Sequence, residues 1–170
     1  MAFHPLVVLA TRSIKHQLET GHPLPCPDPL PEEMTIRAGT FVSIKKNRLL
    51  RGCIGTIDPK YKNLAEEVIQ NAIKAANEDP RFPPIEMKEL DQLDISVDVL
   101  TAPEKINDLS FLDVKRYGLI VKSEGRKGLL LPNLDNIQTV DQQLKVCLKK
   151  GGIKETAPYE LYRFEVKRFH

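Results

Sequence analysis

The run TFVSIKKNRLLRGCIGT, residues 40–56, decides the fold. Residues 40–46 alternate as a strand does, residues 49–54 form a second strand, and Lys46, Asn47 and Arg48 lie between them. This pattern predicts a β-hairpin. The second strand ends unusually, on Leu50-Arg51-Gly52-Cys53-Ile54-Gly55. Glycines weaken a strand, so a pair of them marks backbone that turns sharply or lets another group come close. Alternation puts Arg51 and Cys53 on the same face. A guanidinium beside a thiol favours the thiolate, the form used for nucleophilic attack or metal ligation. Free cysteine is also among the most buried residue types and often only fills space. Both readings of Cys53 stand at this point. His4, His16, His22 and His170 all lie towards the termini, so a Cys–His pair needs the fold to bring an end of the chain to the hairpin.

Working outward, residues 5–19 predict a helix with Leu6, Ala10, Ile14 and Leu18 on one face, Pro5 in its first turn and Gly21 as its cap. The alternating prolines Pro23, Pro25, Pro27, Pro29 and Pro31 predict an extended surface connector, with Cys26 a structural residue inside it. The clearest helix covers residues 62–77, with Ala65, Val68, Ile69, Ala72, Ile73 and Ala76 on one face. A strand follows over 94–100, and Ser110 to Asp113 resembles a capping box opening a short helix. Strands are expected over 118–122 and 128–131. A helix capped at Thr139 follows, with Val140, Leu144, Cys147 and Leu148 inward, and then a strand over 161–169. A strand pair, a helix and a strand thus occur in two stretches, which hints at an internal duplication. Hairpin-like pairs favour a mainly antiparallel sheet over a doubly wound parallel one.

The chain has 170 residues with 25 Lys+Arg against 23 Asp+Glu, a net charge of +2. That length suits one domain over residues 1–170, open to division into two subdomains. Mixed, nearly balanced charge and only 6 Phe and 4 Tyr argue against a dedicated nucleic-acid binder. Lys45-Lys46 and Lys149-Lys150 read as solvated faces. No apolar run approaches the roughly 20 residues of a membrane-spanning helix. No secretion signal is legible, and the sparse cysteines Cys26, Cys53 and Cys147 do not make a disulfide framework. A cytoplasmic setting is expected. Metal-ligand spacing, a phosphate-cradling glycine loop and Gly-x-Ser-x-Gly are all missing from the sequence, and no cofactor is implied.

A second constellation is Asp79-Pro80-Arg81-Phe82-Pro83-Pro84. Asp79 can bond nearby backbone donors and hold a rigid corner, while Arg81 can pair with Asp79 or with a ligand's carboxylate or phosphate. Together with Leu50-Arg51-Gly52-Cys53-Ile54-Gly55, Gly118-Leu119-Ile120-Val121, Gly128-Leu129-Leu130-Leu131-Pro132 and the closing stretch 159–170, this run resembles the AMMECR-like family, in its AmmeMemoRadiSam system protein A branch. The resemblance implies an α+β fold, α/β/α layers around a mainly antiparallel sheet, built from two related β-β-α-β-containing halves. It also implies the company of a Memo-like protein and a radical S-adenosylmethionine (SAM) enzyme. It supplies no established reaction. Carried over as signature positions are Arg51, Gly52, Cys53, Gly55, Asp79, Arg81 and Phe82.

Three functions compete. The favoured one is an accessory or small-ligand-binding component working with the Memo-like and radical SAM proteins. Its site is centred on the glycine-framed motif, with Arg51, Gly52, Gly55, Asp79, Arg81 and Phe82 contacting a small anionic ligand. The alternative is an enzyme that uses Cys53 as a nucleophile on such a ligand. Nucleic-acid binding is the third.

Overall fold

The computed structural model describes residues 2–170. The described chain divides into two compact units, one reaching to Leu100 and including Lys167–His170, the other Thr101–Val166.

In the first unit, helix α1 (Pro5–Thr20) starts on His4, whose Nδ1 accepts the Leu6 N–H, and ends on Gly21 at φ 74°. Its buried stripe is Leu6, Val7, Leu9, Ala10 and Ile14. A hairpin follows, β1 (Thr40–Lys46) and β2 (Leu49–Thr56), then helix α2 (Leu64–Asn77) and strand β3 (Leu93–Leu100). Asn63 caps α2 by accepting the Glu66 N–H. Later in the chain β8 (Val166–Phe169) joins this sheet, whose order is β2-β1-β3-β8. Val42, Ile44, Ile95 and Val97 share one core with the apolar stripes of α1 and α2. Because strand side chains alternate, Ser43, Cys53, Ser96 and Asp98 lie on the other face.

The second unit runs β4 (Glu104–Ile106), β5 (Gly118–Ser123), β6 (Arg126–Leu130), helix α3 (Val140–Gly151) and β7 (Glu160–Phe164). Its sheet order is β4-β7-β5-β6. Thr139 and Gln142 form the expected capping box, and Gly152 ends the helix at φ 61°. Leu119, Val121, Leu130, Leu144, Cys147 and Leu148 make its core.

The hint of duplication becomes explicit. In each unit the first hairpin strand is central, its partner lies at the edge, and the strand after the helix pairs on the other side. The packing device repeats too. A Cβ added at Gly52 of β2 would stand 2.2 Å from the Ala75 carbonyl oxygen of α2, and one at Gly128 of β6 would stand 1.8 Å from that of Cys147 in α3. Each glycine therefore lets a helix backbone rest directly on the strand. Four residues before each carbonyl, an amide side chain reaches the start of the central strand: Asn71 Nδ2 donates to the Thr40 carbonyl and Gln143 Nε2 to that of Tyr117.

The antiparallel α+β reading holds, with the strands divided between two sheets, one in each unit. Two local expectations change. The tail is not one strand over 161–169: it breaks at Glu165, which exchanges hydrogen bonds with Thr101 and ends β7 before β8 begins. The turn near Ser110 is a single 3-10 turn, Leu109–Phe111, capped by Asp108, because the Asp108 carboxylate captures both the N–H and the hydroxyl of Ser110.

Candidate functional site

Cys53 sits half-buried on edge strand β2, directly opposite Ser43 of β1, which is opposite Ser96 of β3. The row is polar across three strands. Cys53 Sγ and Ser43 Oγ are 3.2 Å apart. Cys53 turns its backbone polar groups outward, away from β1, so Ser43 and Cys53 form a non-hydrogen-bonded pair, the kind that brings side chains close.

Those outward groups meet the corner that follows α2. The Cys53 N–H donates to Asp79 Oδ2 at 2.9 Å, and Arg81 Nη2 donates to the Cys53 carbonyl at 3.4 Å. Asp79 is held by Arg81 in turn, through Nε to Oδ1 at 3.0 Å and Nη2 to Oδ2 at 2.7 Å, and it also accepts the Arg81 N–H. The pair thus covers a free strand edge in place of another strand. The guanidinium holds the Asp79 carboxyl far below its ordinary range, helped by the Cys53 and Arg81 N–H groups and opposed by burial. Phe82 is half-buried, and the Arg81 guanidinium carbon lies 5.5 Å from its ring centroid. Both parts of the corner reading hold: Asp79 fixes the turn, and Arg81 pairs with Asp79.

Arg51 departs from expectation. Ile44 pairs with Gly52 while Lys45 pairs with Leu50, so Arg51 is the extra residue of a β-bulge. Simple alternation fails across a bulge, and no hydrogen bond joins Arg51 to Cys53. Its guanidinium grips Glu89, Nε to Oε1 at 3.2 Å and Nη2 to Oε2 at 3.0 Å, and donates to the carbonyls of Pro83 and Pro84. Lys46 adds a third cationic contact to Glu89 at 3.0 Å. Arg51, then the Glu86 N–H, then Lys46 bring the Glu89 carboxyl down to about 2. Arg51 therefore anchors the 83–89 segment beside Cys53.

The glycines also serve the interior. Gly52 is buried beneath α2 as described above. A Cβ at Gly55 would lie 2.3 Å from the Phe41 ring, so that ring lies over Gly55. Neither glycine opens a way to the sulfur. No histidine is bonded to Cys53 among the described residues; His4 caps α1 and stacks on Phe169, their ring centroids 3.9 Å apart.

A second anchored arginine completes the face. Arg168 of β8 donates Nε to Asp98 Oδ1 and Nη2 to Asp98 Oδ2, both at 2.7 Å. The match with the Asp79–Arg81 pair is close: the carboxylate side chains are each 3% exposed, the arginines 55% and 54%. Asp79 and Asp98 respectively raise the pKa of Arg81 and of Arg168, against the opposing effect of burial.

The model for the family described as AMMECR1 matches residues 7–169. The chain belongs to the AMMECR1 family. A Thermotoga maritima protein is 45% identical over 169 residues, covering 98% of this chain and 97% of its own length. A Methanothermobacter thermautotrophicus protein is 37% identical over 177 residues, covering 97% and 92%. A Clostridium acetobutylicum relative, 46% identical over 166 residues, is longer: the match covers 96% of this chain but 35% of that protein. The crystal structure of an uncharacterized Pyrococcus horikoshii protein, PH0010, matches with TM-score 0.83 at 34% identity, over 96% of this chain and 88% of that one.

Reading this AMMECR1 sequence for motifs finds Cys53, Asp79 and Arg81 but misses Ser43, Glu89, Asp98 and Arg168. A usable signal was there for two of them. Asp98 is a charge on the polar alternate of the strand that carries Ile95, Val97 and Val99, and Arg168 puts a charge on the alternate set of Phe164 and Val166. Opposite charges on one face of two strands suggest a cross-strand pair. Among the described residues no three His, Cys, Asp or Glu side chains are grouped to hold a metal ion, and no helix is long and apolar enough to cross a membrane.

Proposed function

We propose that this AMMECR1-family protein is an accessory, small-ligand-binding component of a cytoplasmic system that includes a Memo-like protein and a radical SAM enzyme. The ligand lies on the Cys53–Ser43–Ser96 row beside Arg81. One observation carries the reading. The row in the second unit that corresponds, one residue beyond the glycine under the helix, is Leu129–Ile120–Tyr162. The architecture accepts two aliphatic side chains and a tyrosine at that row, so a thiol and two serine hydroxyls there are not a requirement of the fold. Arg81 keeps more than half its side chain exposed while a buried carboxylate fixes its direction. Such a pre-set guanidinium is suited to a small anion.

Peptide-resolved alkylation with neutral iodoacetamide tests the site. Cys53 in the native protein is expected to react at a rate near that of half-buried Cys26; protection as complete as that of buried Cys147 overturns the reading. The accessory role is tested by native co-purification. Recovery of both neighbours with the wild-type protein and with Cys53→Ser supports it, and failure to recover either removes it.

A nucleophilic Cys53 is the second reading, favoured by the 3.2 Å contact of its sulfur with Ser43 Oγ. It requires Cys53→Ser to abolish turnover while ligand binding persists. Nucleic-acid binding gains nothing from the geometry, since Lys46 is engaged by Glu89.

A further inference from the structure

Resting on the reading of the Cys53 row as a ligand site, we infer that its ligand carries two separated anionic groups, one received by Arg81 and the other by Arg168, with the body of the ligand passing over the Cys53 sulfur.

Each arginine donates its Nε and Nη2 to a buried aspartate, and its Nη1 donates no hydrogen bond to the described residues. Ion pairs with one partner so deeply buried are costly to assemble, because the carboxylate must leave water. Their use is orientation: a guanidinium held by its fork side presents its remaining N–H groups in a fixed direction. Both pairs have the carboxylate deep and the cation outward, so each offers its positive end to solvent.

Their placement determines the shape of the ligand. Arg81 lies beyond the free edge of β2, bonded to the outward Cys53 carbonyl. Arg168 reaches back from β8 to Asp98 of β3, two strands away from β2. Neighbouring strands are about 4.8 Å apart, and from outside β2 to β3 there are three such spacings, so the two cations stand on the order of 15 Å apart with the thiol between them, nearer Arg81. One phosphate or carboxylate reaches one arm at a time. The ground between offers Ser43 and Ser96 hydroxyls for a polar middle, with the Phe41 ring over Gly55 on the next rung.

The test follows Cys53 alkylation by iodoacetamide in the presence of acetate, inorganic phosphate, succinate or suberate at constant ionic strength, with Cys26 as internal reference. Suberate, long enough to bridge the arms, is expected to slow Cys53 at a concentration at least about tenfold below that of acetate or phosphate, a difference of about 1.4 kcal/mol. Cys26 should be unaffected. In the double variant Asp98→Asn with Arg168→Met, which removes the pair without stranding a buried carboxylate, the advantage of suberate should vanish when protection is expressed relative to that variant's own uncompeted rate. Arg168→Lys, which keeps a cation on Asp98 but loses the fork, provides the same comparison if the double variant does not fold. Equal protection by acetate and suberate, phosphate matching suberate, or an advantage that survives the variants overturns the two-group ligand and leaves the site itself intact. Failure of Cys53 to react without competitor overturns the site and the inference together.

Discussion

Replacing Asp79 by Asn isolates the link between the corner and strand β2. The native carboxylate accepts four donors on its two oxygens: the Cys53 N–H, the Arg81 N–H, and Arg81 Nε and Nη2. An amide of the same shape offers one acceptor oxygen, and its NH2 group would confront donors on the other side. Hydrogen bonds to a charged group contribute about 1.5–3 kcal/mol each, and breaking a buried ion pair costs about 3–5 kcal/mol. Arg81 is more than half exposed and can be rehydrated, which lowers the sum. The expected loss is about 2–4 kcal/mol at pH 7, read from urea unfolding. Its pH dependence has a definite sign. The folded carboxyl lies far below its ordinary value of 3.8, so its stabilisation is complete above that pH and is lost as the pH falls towards the folded value. The gap between wild type and Asp79→Asn should therefore narrow below about pH 4. A variant within about 1 kcal/mol of wild type at pH 7, or a gap that ignores acid, would refute the claim that Asp79 holds the edge of β2.

Gly52→Ala should cost about 2–3 kcal/mol or more, because its new methyl meets a helix carbonyl oxygen, whereas Gly125→Ala, at φ 78° with open space around it, should cost about 1 kcal/mol. Equal losses in parallel urea titrations would contradict the close helix contact. Glu89→Gln should lower stability by about 2–4 kcal/mol at pH 7 by leaving Arg51 and Lys46 without their carboxylate. Since that carboxyl falls from 4.5 to about 2 on folding, the deficit should fade between those pH values, as acid titration of both proteins can check. Burial pushes the Cys147 thiol up to about 12, so it should resist iodoacetamide at pH 8 until the protein unfolds; native labelling as fast as that of Cys26 would count against its enclosure.

The elements were legible where periodicity was strong. The stripe of α2 and the cap at Thr139 lie in contiguous sequence, so spacing alone finds them. The duplication showed only faintly, because what repeats is architecture: a glycine under a helix carbonyl and an amide tied to a central strand. Gly52 matches Gly128, yet Asn71 matches Gln143 and Ala75 matches Cys147, and such exchanges hide the repeat from a reading of letters. At the site, Cys53, Asp79 and Arg81 were found because sequence neighbours frame them. The partnership of Arg51 was misjudged because one unpaired residue shifts the alternation, and a bulge leaves no mark in composition. Glu89 and Arg168 act over separations of 38 and 70 residues, which no local pattern encodes.

That last separation bears on how the protein is made. Asp98 emerges during synthesis 70 residues before Arg168, and at about 5–20 residues per second the interval is roughly 4–14 s. During that time the first sheet lacks its fourth strand, and a carboxylate destined for the interior has no counter-ion. The amino-terminal unit thus reaches its finished form only after the entire other unit has been translated, which makes vectorial folding of this chain a matter of waiting for its final strand.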